Sequence, residues 1–441
     1  MFRVSQYMRL IVEADRRGEM NPVSAARRRG SVTTAGTPLG SPMAGLPTTL
    51  APTPPGPVVI WNLIRRCNLS CKHCYALSAN HDYAGELSTD EVFGVMNDLE
   101  AARVPVLILS GGEPLLRRDL FAIAARAKSM GFYVGLSSNG TLIDAPMADR
   151  IAAAGFDYVG VSLDGLAATH DKFRRLDGAF ERSLAGVRAL HARGVKIGLR
   201  FTMTALNADD LPGLLGLMRA EQVEKFYFSH LNYAGRGNIH RAKDAQFAAT
   251  REALDLLFDR AWQAALDERD EEYVTGNNDA DGPWMLHWLH RRRPDLHARF
   301  GGALRTHLVA WGGNSSGVNV ANIDNLGNVH PDTMWWHHTL GNVRERPFAA
   351  IWSDVSDPLM AGLKQKPRPV EGRCALCLHR DICDGNTRVR AQQVTGNPWA
   401  EDPGCYLDDD EIGIAEGGDR VRVTPFSGKL RKPVYVAVTT A

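Results

Sequence analysis

Between positions 58 and 229 the sequence alternates short apolar runs with helical patterns, and that alternation restricts the fold more than any other feature. The runs at 58–64, 104–109, 132–137, 158–163, 196–203 and 224–229 read as strands. Helical spacing fills the gaps at about 89–102, 117–130, 145–154, 178–193 and 207–220. Thr89, Asp144 and Asn207 stand as N-caps, and Gly131, Gly155 and Gly194 stand where C-terminal glycines belong. Six strands separated by five helices predict repeated right-handed βαβ units and a parallel sheet. An open doubly wound sheet and a curled partial barrel both satisfy the pattern. Either one gathers its ligand at the C-terminal ends of the strands.

That end is where the reactive side chains lie. Cys67-Asn68-Leu69-Ser70-Cys71-Lys72-His73-Cys74 directly follows the first apolar run, so three thiols sit on the loop leaving the first strand. Three thiolates this close can ligate three corners of an iron–sulfur cube and leave the fourth iron open. A zinc site that recruits His73 and a metal-free structural cluster are the competing readings. The chain has seven cysteines, an odd number falling into two distant groups, which fits metal ligation in a reducing compartment better than a disulfide framework. One βα unit later, Ser110-Gly111-Gly112-Glu113-Pro114 ends the second strand; by itself this is a tight strand-to-helix turn.

Together the two motifs resemble the radical S-adenosylmethionine (radical SAM) superfamily. The resemblance decides between the two architectures in favour of an α/β partial (β/α)6 TIM-type barrel. It implies that Cys67, Cys71 and Cys74 hold a SAM-binding [4Fe–4S] cluster, and that Gly111, Gly112 and Glu113 receive the methionyl amino group of SAM. Ser138 and Asn139 end the third strand, Ser162 and Asp164 end the fourth, and Arg200 lies in the fifth. These resemble the family's ribose and carboxylate contacts, and hydroxyl, amide and guanidinium groups suit those tasks. His73 stands where the family places an aromatic beside adenine. Taken singly, each of these residues is equally a cap or a satisfied polar group. The implied chemistry is one-electron cleavage of the sulfur–C5′ bond, giving a 5′-deoxyadenosyl radical that abstracts hydrogen from an unactivated carbon. No residue stands out as a catalytic acid or base.

Cys374-Ala375-Leu376-Cys377, Cys383 and Cys405 form a second set of four thiols. It suits a structural zinc site. Behind a radical SAM core it resembles the C-terminal half of a SPASM domain, which implies a small cysteine-rich SPASM/twitch-like domain with a second, fully ligated auxiliary [4Fe–4S] cluster. A full SPASM domain adds cysteines near 314–333, where this chain has none, so one auxiliary cluster is expected.

The expected division is an N-terminal segment and disordered linker at 1–57, a radical SAM core at 58–235, a helical connecting region at 236–310, an auxiliary-cluster domain at 311–412 and a tail at 413–441. Residues 1–12 are amphipathic enough for a docking helix. The Pro-, Thr-, Ser-, Ala- and Gly-rich stretch from Gly18 to Pro57 offers too little apolar surface to offset ordering entropy. A long helix is expected at about 244–267, a hairpin around 319–323 and 328–330, and a docked terminal strand at 433–439.

The text around the cysteines narrows the family. Residues 55–63, 321–333 with Trp335-Trp336-His337-His338, and 383–391 resemble the NirJ family, the radical SAM proteins of haem d1 biosynthesis, over about 56–412. That resemblance implies 12,18-didecarboxysirohaem as the tetrapyrrole substrate and loss of two propionate side chains. Radical abstraction suits the task, because a propionate β-carbon carries no acidic proton for an ordinary base. An external one-electron donor such as flavodoxin or ferredoxin is implied. Trp284, Trp288, Trp311, Trp335 and Trp336 are candidates to wall a flat macrocycle, Arg291, Arg292 and Arg293 to meet its carboxylates, and His330, His337 or His338 to bind its iron.

The rival readings are another haem-pathway radical SAM decarboxylase, a peptide-modifying SPASM enzyme and a non-catalytic iron–sulfur redox sensor. Residues 18–57 lack the periodicity of a precursor-binding domain, and a sensor has no use for the SAM set. A formal net charge of +1 gives no basic field for nucleic acid. No apolar run approaches the ~20 residues of a membrane helix, so a cytoplasmic enzyme is expected.

Overall fold

The computed structural model describes residues 1–23, 56–245, 247–414 and 420–428. Most of the expected linker and the strand expected at 433–439 lie outside them. The six expected strands form as β1 (Val58–Ile64), β2 (Val106–Gly111), β3 (Tyr133–Ser138), β4 (Tyr158–Ser162), β5 (Ile197–Met203) and β6 (Lys225–His230). Each pairs in parallel with the next. Their near-continuous apolar runs follow from burial on both faces: Val59, Trp61, Leu107, Leu109, Val134, Val159 and Val161 are all fully buried.

The sheet extends beyond these six. β7 (Glu272–Gly276) adds in parallel to β6. β8 (Val320–Ile323) adds in parallel to β1, from Val58 opposite Val320 to Trp61 opposite Ile323. β8 also forms the expected hairpin with β9 (Asn328–His330), and β10 (Gly341–Asn342) closes the order β10-β9-β8-β1-β2-β3-β4-β5-β6-β7. The core is thus an α/β parallel sheet of eight strands, six of them carrying the repeated βα pattern. β7 escaped the sequence pattern because it is a five-residue segment between long helices.

The helices are α1 (Val4–Arg16), α2 (Thr89–Ala101), α3 (Leu120–Ser129), α4 (Ala145–Ala153), α5 (Ala167–Arg174), α6 (Ala179–His191), α7 (Leu211–Ala220), α8 (Phe247–Leu266), α9 (Asp281–Arg292), α10 (Pro294–Trp311) and α11 (Arg388–Thr395). Shorter helices occupy Gly235–Ile239, Phe348–Ser353, Pro358–Lys364, Gly372–Leu376 and Arg380–Cys383. Asp144 caps α4 through the Met147 N–H at 2.8 Å. Two expected caps move. Ser88, not Thr89, caps α2, because its hydroxyl reaches the Glu91 N–H while the Glu91 carboxylate returns to the Ser88 N–H at 2.7 Å, closing a capping box. Asn207 heads a short 3-10 turn before α7 and spends its amide on the Thr204 N–H and the Asp164 carbonyl. α5 was missed as a helix because it is short and polar, with only His170, Phe173 and Arg174 buried.

The amphipathic N-terminus docks as expected and continues to Arg16. α1 buries Val4, Tyr7, Met8 and Ile11, Phe2 bridges to Thr275 of β7, and the Tyr7 hydroxyl meets His307 Nδ1 at 3.0 Å.

Candidate functional site

The Gly-Gly pair at the end of β2 allows the loop after β1 to pass against it. A Cβ on Gly111 would lie 2.2 Å from the Ile64 carbonyl, and one on Gly112 would lie 2.2 Å from the Arg66 carbonyl. The N–H groups of Gly112 and Glu113 donate to those two carbonyls at 2.7 and 2.9 Å. What Gly111 and Gly112 offer a cationic amino group is therefore their own carbonyls.

Glu113 is fully buried. Its Oε1 accepts the Ser138 hydroxyl at 2.9 Å and the Leu115 N–H at 3.2 Å, and its Oε2 accepts the Asn139 N–H at 2.8 Å. Burial pushes its carboxyl up to about 7, against the pull of these hydrogen bonds. Ser138 is thus turned toward Glu113. The Asn139 side chain holds the cysteine loop instead, donating to Asn68 Oδ1 at 2.9 Å and lying 3.9 Å from Cys67 Sγ.

Cys67, Cys71 and Cys74 come together with Leu69 and Leu176 in a small cluster of their own. Burial raises the Cys67 and Cys71 thiols, and in each case the neighbouring thiols raise it further, so ionising them together calls for a nearby cation. Among the described residues no three His, Cys, Asp or Glu side chains converge on a point fit for a single ion. Three thiols gathered on one loop are a donor set that fits an iron–sulfur cluster, in which each thiolate takes its own iron. His73 faces Asp164, its Nε2 3.5 Å from Asp164 Oδ2 and its ring 4.8 Å from that of Phe173. Burial holds this imidazole down to about 4, keeping it neutral.

Asp164 lies at the end of β4, almost fully buried, with Oδ1 accepting the Thr202 N–H at 2.9 Å. Its other oxygen pairs with Arg174, the last residue of α5. The second terminal nitrogen of Arg174 donates to Cys71 Sγ at 3.5 Å. Ser162 pairs with Arg200 in the β4–β5 register. The Arg200 guanidinium donates to the Ser137 hydroxyl and lies 5.3 Å from the Tyr227 ring centroid. Cys67, Cys71, Cys74, His73, Gly111, Gly112, Glu113, Ser138, Asn139, Ser162, Asp164 and the Arg200 side chain thus lie at one end of the sheet.

Four contributors were missed. Arg174 gave no signal, being one of the basic residues, with Lys172 and Arg175, of a short polar stretch. Tyr75, next to Cys74, has its hydroxyl held by Asn62 Nδ2 at 2.8 Å, and Asn62 in turn accepts Asn322 Nδ2 from β8 at 2.6 Å. Gly235 and Arg236 clasp the cysteine loop after β6: Arg236 donates through its N–H to the Cys74 carbonyl at 2.9 Å and through Nε to the Cys71 carbonyl at 2.6 Å.

The second set of thiols surrounds one cavity, lined by Cys374, Cys377, Cys383 and Cys405 together with Arg373 and Asn386. Burial raises all four, with Cys405 pushed up to about 12.

The Radical SAM superfamily model matches residues 61–218. The chain is 52% identical over 393 residues, 88% of its own length and 96% of the relative, to the pre-heme d1 synthase of Dinoroseobacter shibae. The chain belongs to the radical SAM superfamily. It is also 43% identical over 363 residues, 82% of this chain and 90% of the relative, to the Fe-coproporphyrin III synthase of Methanosarcina barkeri. The crystal structure of Streptococcus suis SuiB bound to S-adenosylmethionine covers 80% of this chain and 78% of that one with a TM-score of 0.62 at 15% identity, a likeness of fold.

As a radical SAM enzyme, the protein uses SAM and a [4Fe–4S] cluster. Beside the cysteine loop the radical SAM core leaves a crevice lined by Tyr75, Ala234, Asn238, Trp336, His337 and Gln393. Of the side chains expected to face a macrocycle, only Trp336 and His337 reach it. Trp284 and Trp288 are core residues, with Trp288 Nε1 bound to Asp259 at 2.9 Å. Trp311 packs against Phe2, and Trp335 against Leu359, Leu363 and Val389. Arg291, Arg292 and Arg293 pair with Asp255, Asp259 and Asp295 on the surface. His330 is buried against the His338 carbonyl at 2.8 Å, and His338 is held by Asp357 at 2.9 Å.

Proposed function

We propose that this radical SAM enzyme acts in haem d1 biosynthesis, removing two propionate side chains from the tetrapyrrole 12,18-didecarboxysirohaem. The observation that carries the reading is the 52% identity to a pre-heme d1 synthase over almost the whole of both chains.

In this reading Cys67, Cys71 and Cys74 hold the catalytic cluster, and a thiol trio with two members buried and a cationic neighbour fits that group. When bound, the cluster and SAM supply the 5′-deoxyadenosyl radical that abstracts hydrogen. The carbonyls of Gly111 and Gly112 and the Glu113 carboxylate receive the amino group of SAM, and Glu113 is held for it by Ser138 and Asn139. Ser162, Asp164 and Arg200 border the ribose and carboxylate, and His73, kept neutral, lies beside the adenine. Cys374, Cys377, Cys383 and Cys405 hold the auxiliary [4Fe–4S] cluster in the cavity they line. The macrocycle enters the crevice at Tyr75 and Trp336, with His337 beside its iron. An external flavodoxin or ferredoxin supplies electrons in the cytoplasm. No helix among the described residues is long and apolar enough to cross a membrane.

The test uses anaerobically reconstituted, reduced protein with SAM and didecarboxysirohaem, following 5′-deoxyadenosine and porphyrin mass together. Nucleoside formation coupled to stepwise loss of propionate mass is expected. Nucleoside with an unchanged tetrapyrrole would leave the radical SAM assignment and remove the substrate.

A further inference from the structure

The Arg174 side chain joins the cysteine loop to the end of β4. One terminal nitrogen pairs with Asp164 Oδ2 and the other donates to Cys71 Sγ at 3.5 Å, with both side chains of the Arg174–Asp164 pair buried. The backbone fixes this geometry. The Lys72 N–H donates to the Phe173 carbonyl at 3.1 Å, so the cysteine loop is bonded to the residue before Arg174. α5 then ends at Arg175 in the left-handed conformation, φ 59°, which turns the chain away. Asp164 is held by the Thr202 N–H and faces His73, which fixes the carboxylate that Arg174 meets. A planar fork meets a carboxylate and a sulfur at once in a way a single ammonium does not.

We propose that Arg174 is a positioning residue that sets the reduction potential of the cluster held by Cys67, Cys71 and Cys74, with Asp164 as its counterweight. The inference rests on that assignment of the three cysteines. One-electron reduction adds a negative charge to a cluster already carrying thiolates. A fixed cation donating to one of those sulfurs stabilises the reduced state, whereas a buried carboxylate opposes it. The two side chains therefore act with opposite sign on one property.

The experiment is an EPR-monitored reductive titration of the full chain, following the signal that changes on addition of SAM, with iron and sulfide measured for each variant. Arg174→Gln is expected to lower the reduced-to-oxidised ratio at a fixed potential about tenfold, a shift of about 59 mV for one electron. Arg174→Lys should fall between that variant and the wild type. Asp164→Asn should shift the ratio the other way. A general loosening of the site moves both neutral variants in the same direction, so shifts of equal sign would overturn the proposal, as would a potential unchanged in Arg174→Gln with full iron. If Arg174→Gln fails to take up iron, the sign found for Asp164→Asn decides. A wild-type protein with no SAM-responsive signal would overturn the cysteine assignment and this inference with it.

Discussion

Glu113 Oε1 and the Ser138 hydroxyl meet at 2.9 Å across the ends of β2 and β3, in a carboxyl site fully closed to solvent. Because burial lifts the Glu113 carboxyl to about 7, the folded protein holds this proton more tightly than the unfolded chain. Its contribution to stability is complete below the ordinary carboxylate range and is lost as pH rises through about 7. A SAM ammonium prefers the ionised carboxylate, so SAM binding should strengthen roughly tenfold from pH 6 to pH 8. Glu113→Gln should bind SAM weakly and show no such dependence. Equilibrium binding at the two pH values checks both.

Replacing Cys67, Cys71 and Cys74 together by alanine should remove roughly half of the iron of the reconstituted protein and abolish 5′-deoxyadenosine formation. Replacing Cys374, Cys377, Cys383 and Cys405 should remove the other half while leaving a SAM-responsive cluster signal. Iron analysis beside EPR separates the two sets.

Gly235 has φ +52°, and a Cβ there would lie 2.3 Å from the Tyr75 carbonyl and 2.5 Å from that of Cys74. Gly235→Ala should cost about 1–3 kcal/mol through backbone strain. Because the displaced carbonyls belong to the cysteine loop, SAM affinity should fall with it. Thermal unfolding and SAM binding on the same preparation test the coupling.

The tryptophans divide by position. Trp336→Ala should weaken tetrapyrrole binding about tenfold, near 1.4 kcal/mol. Trp284→Ala, in the core, should destabilise by roughly 3–5 kcal/mol whatever its effect on ligand. Arg291→Ala, which breaks a surface pair, should change stability by less than about 1 kcal/mol and leave binding alone. Porphyrin titration and thermal melts of the three variants check this ordering.

The six core strands, their parallel arrangement and the placement of Cys67–Cys74 and Gly111–Glu113 were legible in the sequence. Strand periodicity, glycine punctuation and ligand spacing are properties of residues a few positions apart, and the parallel βα unit then sends every loop after a strand to the same end of the sheet. Only the tertiary structure decided that β7 and β8 widen the sheet, that Trp284 and Trp288 are core and that Arg291–Arg293 face solvent. It alone brought Arg174 to Cys71, 103 residues away along the chain, and Asn322 to Asn62, 260 residues away. Such pairings depend on which surfaces are buried together once the sheet has formed. No local pattern encodes that, because the same tryptophan or arginine satisfies its own helix equally well on either face.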